Sequence, residues 1–278
     1  MPMTRSARWA VLLVLYATPS GAQEGTRWQR NEPATVSPPT VFHATQGLNL
    51  PTAVTPGRGE FLFEIAHRFA PAISADDAFF GLDGPVRYRL ALSYGVTDRL
   101  TAGLLRSNLD DNTEVGGKLR FAEWGGALPV QLAIAAGIAW NTEVGVPQGS
   151  TTQAHAEVIV NAALGDRIAI GVVPSLVTNP LVRVDGEEAA FAVGLHGQAY
   201  LSDQVSVVGE WVVSDASATL PNDPASFSLE LETGGHFFRV GVTNSLRLNP
   251  AQHFVGAEAK FEPDEWRLAF NITRVLRF

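Results

Sequence analysis

Cysteine is absent from this chain, charge is sparse at 17% of positions, and no apolar run approaches the roughly 20 residues that a membrane-spanning helix needs. Each absence excludes something. Without cysteine there is neither a disulfide framework nor thiol chemistry, so an exported chain must be held together by burial and backbone pairing. Without a long apolar run, a helical membrane protein is ruled out. The 20 basic residues are outnumbered by 28 acidic ones, a net charge of −8, so a nucleic-acid partner has no electrostatic footprint. No two of the six histidines stand at a recognised metal-ligand spacing, and no G-x-S-x-G nucleophile motif occurs.

What is present begins with a leader. Arg5 and Arg8 precede the short apolar run Trp9 to Ala17, and Ser20-Gly21-Ala22 supplies small residues for cleavage, so residues 1–22 read as a signal peptide. Residues 23–59, with Pro33, Pro38, Pro39, Pro51 and Pro56, read as a mostly irregular periplasmic lead-in and a candidate partial plug. From residue 60 the texture becomes one of period two. Val86, Tyr88, Leu90, Leu92, Tyr94 and Val96 share one parity against Arg87, Arg89, Ala91, Ser93 and Gly95. The same rule predicts strands from residue 60 and at 86–96, 99–107, 113–123, 129–141, 153–164, 167–177, 189–201, 204–214, 226–233, 236–245 and 266–278. In the last of these Trp266, Leu268, Phe270, Ile272, Leu276 and Phe278 form one apolar row, interrupted by Arg274. So long a row on a soluble edge strand would invite aggregation, and lipid is the cover that fits.

About twelve strands, near the 9 to 11 residues that a tilted membrane strand needs, specify an all-β fold: a closed antiparallel up-and-down transmembrane β-barrel over residues 60–278. Connection lengths support it, because short turns (97–98, 165–166, 202–204, 234–235) mostly alternate with long loops (70–84, 142–152, 178–188, 215–225, 246–265). Hairpin register agrees. A type I′ turn at Gly234-Gly235 pairs Leu231 with Phe238 and Glu230 with Arg239, and the 202–204 turn pairs His196 with Glu210. Trp140, Trp211 and Trp266 at the loop ends, with Phe61, Tyr94, Phe121 and Phe278 at the turn ends, form two candidate aromatic girdles. Between the girdles the outward list is nearly charge-free, and Arg274 is the serious violation.

Five phrases occur together: Ile65-Ala66-His67-Arg68-Phe69, Phe79-Phe80-Gly81-Leu82-Asp83-Gly84, Tyr94-Gly95-Val96-Thr97-Asp98-Arg99-Leu100, Thr233-Gly234-Gly235-His236 and Phe270-Asn271-Ile272-Thr273-Arg274. On these the chain, from about Val41 to Phe278, resembles a family of bacterial outer-membrane β-barrel proteins known as a domain of unknown function. The resemblance implies a barrel and a location, and carries no assigned reaction, substrate or cofactor. The closing strand also looks like a terminal assembly signal, carried by Phe270, Ile272, Leu276 and Phe278.

The inward parity gathers candidate lumen-lining residues: Glu64, Arg68, Arg87, Arg89, Lys118, Arg120, Glu157, His196, Glu210, Glu230, Arg239 and Arg267. Such charges line a solute path, with arginine favouring anions, or close the interior as salt bridges. His155, His196, Glu157 and Glu210 are the material for a metal site, but satisfied lumen histidines explain them better. Ser245, His236 and His67 are the nearest material for a nucleophilic triad, at opposed ends. The expectation is therefore a monomeric outer-membrane barrel reached by Sec-type export, porin-like or structural, with no cofactor and no catalysis. Its partners would be outer-membrane lipid, the barrel assembly machinery and small solutes. A lipid-modifying or proteolytic barrel enzyme, or an exported soluble β-barrel binder, stands as the alternative.

Overall fold

The computed structural model describes residues 41–142, 151–180, 189–215 and 220–277. Twelve strands are present: β1 (Phe61–Ala72), β2 (Val86–Gly95), β3 (Leu100–Ser107), β4 (Asn112–Trp124), β5 (Val130–Asn141), β6 (Thr152–Leu164), β7 (Ile168–Thr178), β8 (Ala189–Tyr200), β9 (Val205–Ser214), β10 (Ala225–Glu232), β11 (His236–Thr243) and β12 (Arg267–Leu276). Each pairs antiparallel with its sequence neighbours, and β1 pairs with β12 from Phe61 opposite Leu276 to Arg68 opposite Ala269, which closes the barrel. No sheet edge is left to recruit another chain.

Parity sets the two faces. The rows carrying Leu92, Ile134, Leu195, Leu229 and Val240 point outward and are exposed, while Glu64, Arg68, Arg89, Glu210, Glu230 and Arg239 on the opposite parity are buried inside. Trp140, Trp211, Tyr94 and Phe121 lie in the outward rows as well. Gly234 and Gly235 adopt φ of 54° and 96°, the positive values a type I′ hairpin demands, and place Leu231 opposite Phe238 and Glu230 opposite Arg239. The exception Arg274 has a simple position. It is paired with His236, the first residue of β11, so it sits at the turn end, where a long side chain can reach the interface.

Pro174 lies within β7, and the β6–β7 ladder is interrupted there, passing from Glu157 opposite Ser175 to Val160 opposite Val172. A proline has no N–H to give to a ladder.

The interior is filled. Residues 41–59 run among the inward side chains. From the opposite end the long β11–β12 connection folds inward and carries the one-turn helix α1 (Pro250–His253). Leu50 and Ala53 from the first segment and Phe254 and Val255 from the second pack with Ala133, Ile159, Val173, Val177 and Val212 of the wall. This apolar patch on the inward face of β5–β9 is covered by protein, so the lumen is polar on one side only.

Candidate functional site

The segment 41–59 forms a finger. Its tip is a short hairpin in which the Gly47 amide donates to the Leu50 carbonyl (2.9 Å) and the Thr52 amide to the Thr45 carbonyl (3.0 Å). Gly47 and Asn49 suit the turn, while Pro51 and Pro56 keep the flanks from becoming strands. A β-carbon on Gly47 would collide with the Glu210 carboxylate, so the closest approach of finger to wall needs glycine there.

At the tip, Glu210 accepts hydrogen bonds from the amides of Asn49 (3.0 Å) and Leu50 (3.0 Å), the Asn49 side-chain amide (2.9 Å) and the Ser226 hydroxyl (2.7 Å). The Leu48 carbonyl accepts from Arg68 Nη2 (3.0 Å) and Asn271 Nδ2 (2.8 Å). Along the stem, Lys118 Nζ donates to the carbonyls of Thr45 (3.0 Å) and Thr52 (2.8 Å), Gln46 bonds to Glu64, and the Ala53 amide donates to Asn161 Oδ1 (2.6 Å). At the foot, His43 Nδ1 lies 2.7 Å from Glu232, the Thr55 hydroxyl donates to the Asp98 carbonyl (2.7 Å), and the Gly59 amide donates to Gly95 (2.8 Å). The Glu232 hydrogen bond raises the His43 pKa above the ordinary imidazole value. Leu50 enters the apolar patch where Gly194 leaves it room.

The β11–β12 connection is held as closely. The Leu248 carbonyl accepts from Arg89, Asn249 Nδ2 donates to Asn112 Oδ1, the Ala251 amide donates to Glu114 (3.3 Å), and Gln153 donates to the Ala251 carbonyl (3.2 Å). Between finger, helix α1 and the β1–β6 wall remains a cavity of about 130 Å³, bordered by Lys118, Glu114, His155 and Glu157.

The twelve candidate lumen residues fall into three groups. Glu64 with Arg89 and Glu230 with Arg239 (2.5 Å) are ion pairs closed within the wall, and Glu157 flanks His155 (3.0 Å) opposite Glu114 (2.9 Å). Arg68, Lys118 and Glu210 bind the finger. His196 belongs beside them, stacked on Phe42 at 4.8 Å with Asn161 at 3.4 Å. Arg87, Arg120 and Arg267 are only half-buried and bond to carbonyls at the barrel mouths, those of Asn108, Asp98 and Ala70. Of the proposed assembly residues, Phe270 and Ile272 lie in the outward row, Leu276 ends β12, and Phe278 lies outside the described residues.

No group of three or more His, Asp or Glu among the described residues is arranged to hold a metal ion. Nor are the nucleophile candidates assembled: His67 stacks on Phe270 at 4.5 Å, His236 on Phe238, and the buried Ser245 accepts from the Arg247 amide. Asn49, Leu50, Asn161, Asn271 and Leu248 are site residues that parity alone does not select. Their signal was the two-sided hydrophobicity of β6, β7 and β9, as in Val158-Ile159-Val160, Val172-Val173 and Val212-Val213. A barrel wall apolar on both faces needs something apolar inside.

Comparison with known proteins adds three findings. A family profile described as Membrane bound beta barrel domain (DUF5777) matches residues 42–276. No curated protein matches the chain. Solved structures with similarity include the NanC porin (9% identity, TM-score 0.46, covering 78% of this chain and 99% of that one) and the KdgM porin (7%, 0.47, 79% and 99%). A third is the COG4313 outer membrane channel from Pseudomonas putida F1 (12%, 0.48, 81% and 98%).

Proposed function

Because this chain belongs to the membrane-bound β-barrel domain family, we propose that it is an outer-membrane channel held shut by its own residues 41–59 and by its β11–β12 connection. In this reading residues 1–22 direct Sec-type export, the β12 row around Phe270, Ile272 and Leu276 is read by the barrel assembly machinery, and the mature protein is a monomer in lipid. It performs no reaction and holds no cofactor; its cargo is a small polar solute.

The observation that carries the reading is the pairing of Arg68, Lys118 and Glu210. None of these three forms an ion pair among the described residues; Lys118 and Glu210 are satisfied largely by the finger, and Arg68 divides its hydrogen bonds between the finger (Leu48, Asn49) and the wall (His67, Asn271). Buried charges are costly unless partnered, and a barrel needing only a filled interior would gain more from apolar residues there. Charged groups poised on a removable segment suit a path that opens. A second reading, a structural barrel with a permanent core, is favoured by the apolar cluster around Leu50 and Phe254.

Conductance in planar bilayers separates the two. Leu50→Asp places a carboxylate in the apolar patch beside Glu210 and expels the finger tip. The wild-type barrel is expected to show brief, rare steps, and the variant longer openings, with an unchanged β-sheet circular dichroism spectrum. Stepwise current in neither protein would leave the permanent core as the answer.

A further inference from the structure

Many of the contacts between finger and wall are directed at the finger's main chain, beside side-chain bonds from Gln46 to Glu64, Asn49 to Glu210 and His43 to Glu232. Glu210 takes two consecutive amide N–H groups, Arg68 and Asn271 share the Leu48 carbonyl, Lys118 bridges two carbonyls across the stem, and Asn161 takes the Ala53 amide. Beyond these the wall offers an apolar recess at the tip, filled by Leu50, and a second apolar contact nearer the foot, where Val41 and Phe42 pack on Ala163 and Ala169. We propose that this wall is a peptide-binding site, which residues 41–59 occupy as a tethered ligand, and that the solutes of the channel are short peptides bearing an apolar side chain. The inference rests on the gated-channel reading and names its cargo.

The chemistry selects among solute classes. Once the finger leaves, Glu210 requires hydrogen-bond donors, while Arg68, Lys118 and Asn271 require acceptors. A peptide supplies both from each of its units, in the alternation the wall already accommodates, and adds a side chain for the Leu50 recess. A small inorganic anion has no donor for Glu210. An oligosaccharide has hydroxyls for the polar groups but nothing apolar of leucine size. The ion pairs Glu64–Arg89 and Glu230–Arg239 each join two wall residues and need no finger to form, although Glu64 also takes a bond from Gln46 and Arg89 gives one to the Leu248 carbonyl.

The test uses the full-length Leu50→Asp barrel in detergent and a fluorescent synthetic peptide of residues 44–54, followed by anisotropy. Saturable binding is expected. It should weaken by about tenfold or more when Glu210→Gln is added to the barrel, when the peptide itself carries Leu50→Asp, or when the wild-type barrel with its filled site is used. A barrel with an intact β-sheet spectrum that binds no peptide, or binds a scrambled peptide equally well, would overturn the proposal, as would stronger competition by a maltooligosaccharide than by unlabelled peptide. Current through the variant without peptide binding would defeat this inference and leave the channel standing. Peptide binding without current would leave the peptide site standing and defeat both the channel and the assignment of peptides as its solutes.

Discussion

Glu210 illustrates how a buried carboxylate is tolerated at the level of single residues: its oxygens are met by the tip amides, the Asn49 side chain and the Ser226 hydroxyl. The Glu230–Arg239 pair solves the same problem within the wall. Removing one member strands the other, so Glu230→Gln is expected to cost about 3–5 kcal/mol of unfolding free energy in lipid, measurable by urea titration. Arg274 makes the contrasting case. Lying at the turn end, it should be replaceable by leucine with a change of less than about 1 kcal/mol, whereas Val240→Arg at mid-strand should cost about 2–4 kcal/mol in the same assay. His43 is sensitive to pH. Its pKa is raised in the folded state, so the stabilisation from Glu232 is complete below the ordinary imidazole value and is lost as pH rises through the raised one. Both side chains are about one-third exposed, and water weakens the pair. Proteolytic cleavage near residues 41–44 should therefore quicken as pH rises through the raised value, and Glu232→Gln should abolish that dependence. Parity and hairpin register in the sequence were enough to place Glu210, Glu230 and Arg239 inside and Glu230 opposite Arg239; they could not identify the finger as the partner of Glu210, because Leu50 and Glu210 are 160 residues apart.

Among the elements, the strands were the legible part. A face wetted by hydrocarbon must be apolar at every second position, and that constraint marks β2 or β12 almost to the residue. Arg274 looked like a violation only because a one-dimensional row does not reveal where the hydrocarbon ends. The finger and the β11–β12 connection carry no periodicity, so nothing local in their residues announced that they turn inward. Their complement lay elsewhere, in the inward Ile159, Val173 and Val212. Pro174 gives an element-scale expectation: backbone amides of Val158 and Ile159, opposite the break in the ladder, should exchange with deuterium faster than those of Arg239 and Val240 in the unbroken β11–β12 pairing.

For the molecule as a whole, closure of the cylinder and occupation of its interior are coupled, since the finger runs directly into β1 and β1 meets β12. The outward rows and the joined terminal strands agree with a bilayer environment, and the dry patch inside belongs to the inserted segments, not to a collapsed sandwich. The consequence lies in biogenesis. A nascent cylinder need not wait for its bung to arrive from a distant stretch of chain, because the stretch concerned is moored one residue upstream of the seam at Gly59, Glu60 and Phe61. Zipping the first strand to the last thus brings the stopper to the lumen in the act of sealing the wall, and a finished molecule starts out corked.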